Sequence, residues 1–332
     1  MKALHRRSTF RVVLAAVVAL TAAATLPAGA QSLAGGRPVT LIVPFSPGGG
    51  TDILSRTVAP KLTEKLGTSV IVENRPGAAG AIAAQFVARA APDGRTLMVG
   101  STSEIGINPS LYPNLPYNVA RDFVPVTALA STPMVLVVNP ASPIKTAADL
   151  VKLAQANPGK LSFASAGVGS GAHLAAELFF YETKIKMTHI PYKGVGPVFA
   201  DIIGSQKDMI LFTSLPSSMS FARAGSVRIV AVSTRERVTL MPDVPTFIES
   251  GIPGYVMDYW YGLMAPAGTP ADVRNQIHTA AADVLRQPEL VEALAKQGLQ
   301  PTYRTPDEFA AYIKADMDRW AAVVKAADIK PE

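Results

Sequence analysis

The feature that most constrains this chain is an alternation. From residue 38 onward, short β-branched apolar runs are separated by amphipathic helical stretches, at the loop lengths of compact α/β units. A strand is expected over 39–43, and Leu54, Val58, Leu62 and Leu66 then recur every four residues as one buried helical face, with Pro60 expected to kink or shorten that helix. A strand over 70–72, a small-residue loop over 76–80 and a helix marked by Ile82, Phe86 and Ala90 follow, and Pro92-Asp93-Gly94 turns the chain into a strand over 97–99. A second series starts with a strand over 134–138 and a helix from Thr146 to Ala156, capped by Thr146 with Asp149 three residues on. It continues with a strand over 161–164, a glycine loop over 165–171, a helix over 174–181, and strands over 209–212 and 229–232. Beyond Trp260 the pattern turns helical, with Pro270, Pro288 and Pro306 at helix starts.

The first thirty residues read as an export leader. Lys2, Arg6, Arg7 and Arg11 form a basic start, an apolar run over 12–26 follows, and Ala28-Gly29-Ala30 gives the small-x-small pattern, so cleavage is expected before Gln31. The run is shorter than the roughly 20 residues that span a bilayer. Arg6-Arg7 resembles a twin-arginine signal with Phe10 one place too far on, so the export route stays open. Loss of the leader takes the 31 basic residues to 27 against 25 acidic ones, a net charge of +2 in place of +6. Nothing in that balance, and no cluster of basic and aromatic residues, points to nucleic acid. The chain has no cysteine, which excludes a disulfide framework, thiolate metal ligands, a cysteine nucleophile and a lipidated N-terminal cysteine.

Roughly 300 residues without the leader are more than one core usually serves, so two lobes are expected. One lobe inserted into another needs two crossings, placed near 126–133 and 255–265. The division is 1–30 leader, 31–130 with 256–332 as lobe 1, and 131–255 as lobe 2, with the binding site in the cleft between lobes.

Residues 41–52 read LIVPFSPGGGTD, a strand, a triple glycine and a helix start. Gly48, Gly49 and Gly50 let backbone amides approach a ligand, and the helix directs unsatisfied N–H groups and a partial positive charge at the loop, which suits a carboxylate. The alternative is a tight turn with Thr51 or Asp52 as a cap. Residues 165–173 read SAGVGSGAH, and Gly167, Gly169 and Ala172 match a loose dinucleotide pattern, yet the stretch 187–193 lacks the acidic ribose partner of an NAD-dependent oxidoreductase. Ser170 lacks a nucleophile-elbow frame, because Val168 and Ala172 stand where glycine is required. His173, His189 and His278 show no metal-ligand spacing, and His173 is kept as a ligand donor. Tyr255, Tyr259, Trp260 and Tyr261 either wall a pocket at the second crossing or pack a core.

Eight ordered stretches carry a resemblance over nearly the whole chain after the leader. They are VTLIVPFSPGGGTD (39–52), VIVENRPGAAG (70–80), APDGRTLMVG (91–100), INPSLYPNLPYNVARDFVPV (107–126), PGKLSFASAGVGSGAHLAAELF (158–179), HIPYKG (189–194), LMPDVPT (240–246) and YGLMAPAGTP (261–270). On these the chain resembles the Bug family, the periplasmic substrate-binding proteins of tripartite tricarboxylate transporters. The resemblance implies a type II periplasmic-binding fold of two α/β lobes joined by two hinge crossings, a small carboxylate ligand, delivery to membrane permease subunits, no catalysis and no cofactor; a monomer is expected. It implies ligand contacts from Ser46, Gly48, Gly49, Gly50, Thr51 and Asp52, with Phe45 beside them, from Ala78 and Ala79, and from Ser101. The facing lobe is expected to supply Gly169, Ser170, Gly171 and His173, and Thr213 and Ser214. Many relatives carry Asp-Asn where this chain has Thr213-Ser214, and two hydroxyls suit a second carboxylate or an aromatic carboxylate such as terephthalate better than an amine. An envelope sensor that presents the same bound ligand to a signalling partner would have the same fold.

Overall fold

The computed structural model describes Leu33, residues 36–204 and residues 209–330; the leader expected over 1–30 lies outside them. Among the described residues no helix is long and apolar enough to cross a membrane. The first half runs β1 (Val39–Val43), α1 (Gly50–Leu66), β2 (Val70–Asn74), α2 (Ala81–Ala88), β3 (Thr96–Ser101), a π-turn (Thr102–Ile107), and the short helices α3 (Asn108–Leu111) and α4 (Val119–Asp122). The chain then enters β4 (Phe123–Val138), followed by α5 (Ala147–Ala156), β5 (Ser162–Ser165), α6 (Gly171–Thr183), β6 (Thr188–Pro191), α7 (Val195–Gly204), β7 (Met209–Ser214), α8 (Leu215–Arg223) and β8 (Arg228–Val232). It returns through β9 (Asp258–Pro266), α9 (Ala271–Leu285), α10 (Pro288–Ala295), β10 (Gln300–Pro301) and α11 (Pro306–Ala326).

The strands form two twisted layers that share β4. On one side β2, β1 and β3 are parallel, β9 is antiparallel to β3, and Phe123 to Pro133 of β4 pair antiparallel with β9. On the other side Met134 onward pairs with β7 and β8, and β7, β5 and β6 are parallel. The architecture is two α/β lobes with two crossings, one inside β4 at Pro133–Met134 and one where the returning chain enters β9.

The crossings are tied to each other by one buried residue. The Ser233 N–H donates to the Met134 carbonyl at 2.9 Å, its carbonyl accepts from the Met257 N–H at 3.1 Å, and its Oγ accepts from the Met134 N–H at 2.9 Å while donating to the Met257 carbonyl. Ser233 follows β8 directly, so its backbone continues the β4–β8 pairing and its hydroxyl completes the hydrogen bonds of both crossing strands.

Three expectations change. The strand expected over 134–138 is the far end of a strand that begins at Phe123, because Pro125 and Pro133 sit at irregular or switching points of the ladder and do not end it. Pro60 lies inside α1 without ending it: the residue is on the exposed face, where the carbonyl it leaves unpaired faces water. The α2 helix exists, but Ile82 and Phe86 are on its outer face, 51% and 37% exposed, and Ala83, Ala84 and Val87 face the sheet. Small residues bring this helix close to the sheet, and the Arg75 guanidinium covers the Phe86 ring at 3.5 Å. The expected capping box at Thr146 and Asp149 is present, and Pro288 and Pro306 occupy first-turn positions.

Replacing Ser233 by Ala leaves the Met134 N–H without its side-chain acceptor in a fully buried site. Chemical denaturation should show a loss of about 1–3 kcal/mol; an unchanged midpoint would show that the two crossings do not depend on this hydroxyl.

Candidate functional site

Four of the parallel strands, β1, β5, β6 and β7, hand over at the cleft to a helix. Gly49 caps α1, Ser170 caps α6 and Ser214 caps α8, and Gly194 precedes α7. Residues from all four starts, among them Gly50, Gly171, Val195 and Ser217, line one cavity of about 60 Å3. The first turn of a helix has N–H groups with no intrahelical acceptor and a partial positive charge. At α6 two of these are taken, by Ser103 Oγ on the facing lobe (from the Gly171 N–H, 2.7 Å) and by Ser170 Oγ (from the His173 N–H, 3.3 Å). At α1 no side chain caps the helix.

The remaining lining is hydroxyl or apolar. Ser46, Thr51, Ser103, Ser170, Thr213, Ser214, Ser217, Tyr259 and Tyr261 supply O–H groups, Phe45, Met134, Ala166, Ala172 and Val195 the apolar wall, and among the described residues no charged side chain lines the cavity. An anion entering here would meet donors and helix dipoles, and a cation would meet no countercharge. A neighbouring cavity of about 220 Å3 shares Phe45 and Ala166 and adds Ala78, Ala79, Tyr112, Tyr192 and Lys193.

The lobes meet across the cleft. Ser46 Oγ donates to the Lys193 carbonyl at 2.7 Å and Tyr112 Oη to the Val168 carbonyl at 2.8 Å. Two glycines allow this approach. A Cβ at Gly50 would stand 2.2 Å from Tyr261 Oη and 2.7 Å from Ser214 Oγ, and one at Gly171 would stand 2.2 Å from the Tyr259 ring. Gly49 is different, since a Cβ there would meet nothing closer than 3.7 Å and would point into open space.

Phe45, Ser46, Gly49, Gly50, Thr51, Ser170, Gly171, Thr213 and Ser214 thus share one cavity, and Ala78 and Ala79 line its neighbour. Gly48 is exposed at the outer edge of the loop, and Asp52, Ser101, Gly169 and His173 are buried outside the lining. Asp52 braces the glycine loop: its Oδ2 accepts from the Gly48 N–H at 3.0 Å, and its Oδ1 accepts from Arg56 Nε and Asn74 Nδ2, both at 2.9 Å. Burial alone would raise its pKa, but these hydrogen bonds outweigh it and hold the carboxylate below its usual range. Of the four clustered aromatics, Tyr259 and Tyr261 wall the cavity while Tyr255 and Trp260 are core, which residue type cannot distinguish. Ser103 and Ser217 gave no signal in the sequence beyond being serines near a strand end.

His173 corrects the expectation of a ligand donor. Its Nδ1 accepts from the Gly169 N–H at 3.2 Å, and its ring is stacked on His189 with centroids 4.4 Å apart; His189 in turn stacks on Phe163 at 4.6 Å. The ring supports the glycine loop from beneath. Glu177 is 3.7 Å from Nε2, beyond hydrogen-bond reach, and burial, with His189 alongside, pushes the His173 pKa down to about 3. The folded protein holds this imidazole neutral while the unfolded chain protonates it near 6.5, so its contribution to stability is complete above that pH and is lost as pH falls from about 6.5 toward 3. His173→Asn, whose carbonyl can still accept from Gly169, should show a shallower loss of melting temperature between pH 7 and 4 than the wild type; parallel profiles would mean that His173 is not buried neutral.

Comparison with known proteins agrees with this geometry. Residues 54–329 match the family model described as the tripartite tricarboxylate transporter family receptor. The chain is 38% identical over 295 residues to protein BugT of Bordetella pertussis, covering 89% of this chain and 90% of BugT. It is similar in structure to Rpa4515 of R. palustris, solved with adipate, at 34% identity and a TM-score of 0.86, covering 90% of this chain and 99% of that one. It is also similar to MatC of Rhodopseudomonas palustris, solved with bound malate, at 32% identity and a TM-score of 0.83, covering 87% and 99%. With the two-lobed fold, the cleft and these matches together, the chain belongs to the Bug family of tripartite tricarboxylate transporter receptors, which are periplasmic solute-binding proteins.

Proposed function

We propose that this protein, exported with loss of residues 1–30, captures a small dicarboxylate or tricarboxylate in the cleft and delivers it to the membrane subunits of a tripartite tricarboxylate transporter. The jaws are residues 31–130 with 256–332 on one side and 131–255 on the other. The single observation that carries the reading is the convergence of four helix N-termini on a cavity without a charged side chain. Charge-assisted hydrogen bonds from such amides hold a carboxylate without a salt bridge. The proposed role is capture and release of the ligand unchanged, in keeping with a family of periplasmic solute-binding proteins. The neighbouring cavity, which shares Phe45 and Ala166 with this one, offers Lys193 to a second ligand carboxylate and Tyr112 and Tyr192 to an aromatic body. Adipate and malate in two relatives are the same class of ligand.

The test is a thermal-shift screen of aliphatic and aromatic mono-, di- and tricarboxylates on the exported protein, whose intact mass should begin at Gln31. A ligand present at 100 times its Kd should stabilise by about 2.7 kcal/mol. Gly49→Val, at a cavity-lining position where an added Cβ meets nothing closer than 3.7 Å, should abolish the shift while leaving the ligand-free melting temperature nearly unchanged. No shift from any carboxylate, or full retention of the shift in Gly49→Val, would overturn the reading.

A further inference from the structure

Behind the cavity wall lies a chain of buried polar groups that ligand capture as described above does not use. Glu104, in the π-turn after β3, is fully buried. Its Oε1 accepts from the Ser101 N–H, and its Oε2 is 2.8 Å from Ser101 Oγ. Ser101 Oγ is 2.8 Å from Tyr259 Oη, Tyr259 Oη is 2.7 Å from Ser103 Oγ, and Ser103 Oγ accepts from the Gly171 N–H at 2.7 Å. Tyr259, Ser103 and Gly171 line the cavity. The chain therefore joins a carboxyl group in the core of one lobe to the helix start of the other, through the ligand cleft.

Each hydroxyl has one hydrogen, so the direction of the whole chain is set at its end. With Glu104 ionised, Ser101 donates to Glu104, Tyr259 to Ser101 and Ser103 to Tyr259. Ser103 then shows the cavity only a lone pair. With Glu104 protonated, the carboxylic acid donates to Ser101, Ser101 to Tyr259 and Tyr259 to Ser103. Ser103 now accepts from both Tyr259 and Gly171, and its O–H is free to point into the cavity. The two states differ by one proton. A proton arriving at Ser103 Oγ from the cleft displaces the Ser103 hydrogen to Tyr259, that of Tyr259 to Ser101 and that of Ser101 to Glu104, so each O–H bond broken is matched by one formed.

We infer that Glu104 is a positioning residue for anion binding: its proton turns the Ser101–Tyr259–Ser103 relay so that Ser103 presents a donor, and not a lone pair, to a carboxylate in the cleft. This rests on the carboxylate reading of the site. Burial raises the Glu104 pKa to about 8, only partly offset by its hydrogen bonds with Ser101 and its own turn, and no basic side chain is among the groups that act on it. The titratable groups around it are Tyr117, whose Oη donates to the Glu104 carbonyl, Tyr259 and Tyr261 of β9, and Asp316 of α11, which packs against the same turn at Gly106. All three tyrosines are themselves pushed upward, chiefly by burial, so none competes with Glu104 for the proton near neutrality.

The test measures the Kd of one dicarboxylate from the screen between pH 6 and 9.5, beside a 13C NMR titration of the ligand-free protein in which Glu104→Gln identifies the Glu104 carboxyl signal. Wild-type Kd should be level up to pH 7 and about thirtyfold weaker at pH 9.5, as the competent fraction falls. Glu104→Gln, whose amide donates to Ser101 as the acid does, should hold Kd within about twofold across the range. Ser103→Ala, which removes the donor itself, should bind weakly at every pH with no such slope. A wild-type Kd that is level to pH 9.5, a slope retained in Glu104→Gln, or a Glu104 carboxyl titrating in the ordinary carboxylate range would each overturn the inference. If no carboxylate binds at any pH while Glu104 titrates near 8, the ligand reading fails and the buried protonated relay stands.

Discussion

Everything that makes a site in this molecule depends on β4 belonging to two sheets at once. A sixteen-residue strand that pairs with β9 over its first part and with β7 and β8 over its last sets the two lobes edge to edge. The parallel strands on either side then end toward the gap, and the helices that follow them begin there. Ser233 ties this arrangement together, because at the switch from one sheet to the other its backbone and its hydroxyl hold the backbone of both Met134 and Met257. A sheet crossing without such a partner would leave buried amides unsatisfied, a cost comparable to a substantial part of a domain's net stability.

The electrostatic character of the cleft is a consequence of topology and not of charged side chains. Four partial positive charges from helix starts act on one small volume that excludes most water, where dipoles count for more than they do at a surface. The same geometry explains the glycines. Gly50 and Gly171 have no room for a Cβ because the opposite lobe's Ser214 and the crossing strand's Tyr259 and Tyr261 stand against them, whereas Gly49 keeps its backbone open toward the cavity. The carboxyl side chains near the cleft are turned to other work: Asp52 braces the loop through Gly48, Arg56 and Asn74, and Glu104 ends a relay of hydroxyls.

Much of this was legible in the sequence where local chemistry decides the outcome. The β1 strand, the capping box at Thr146 and Asp149, and the prolines opening α10 and α11 follow from residue types at fixed offsets. What depends on tertiary packing was not legible. Ile82 and Phe86 look like a buried helical face, yet the helix needs its alanines inward to approach the sheet. His173 follows a glycine loop as a ligand donor would, but His189, far along the chain, stacks on it from the next strand and fixes its lone pair on Gly169. Ser103 and Ser217 enter the site only because the lobes meet, and Tyr259 and Tyr261 face the cavity while Trp260 between them faces the core, as alternation along a strand requires.

The central claim is that backbone amides at converging helix starts hold the ligand's carboxylate. A crystal structure of the protein with a bound dicarboxylate tests it most directly. The account predicts one carboxylate with its oxygens within hydrogen-bond distance of first-turn N–H groups of α1, between Gly49 and Thr51, and of at least one helix start on the facing lobe. A dicarboxylate with neither carboxylate on these amides, or one bound outside the cleft, would contradict it.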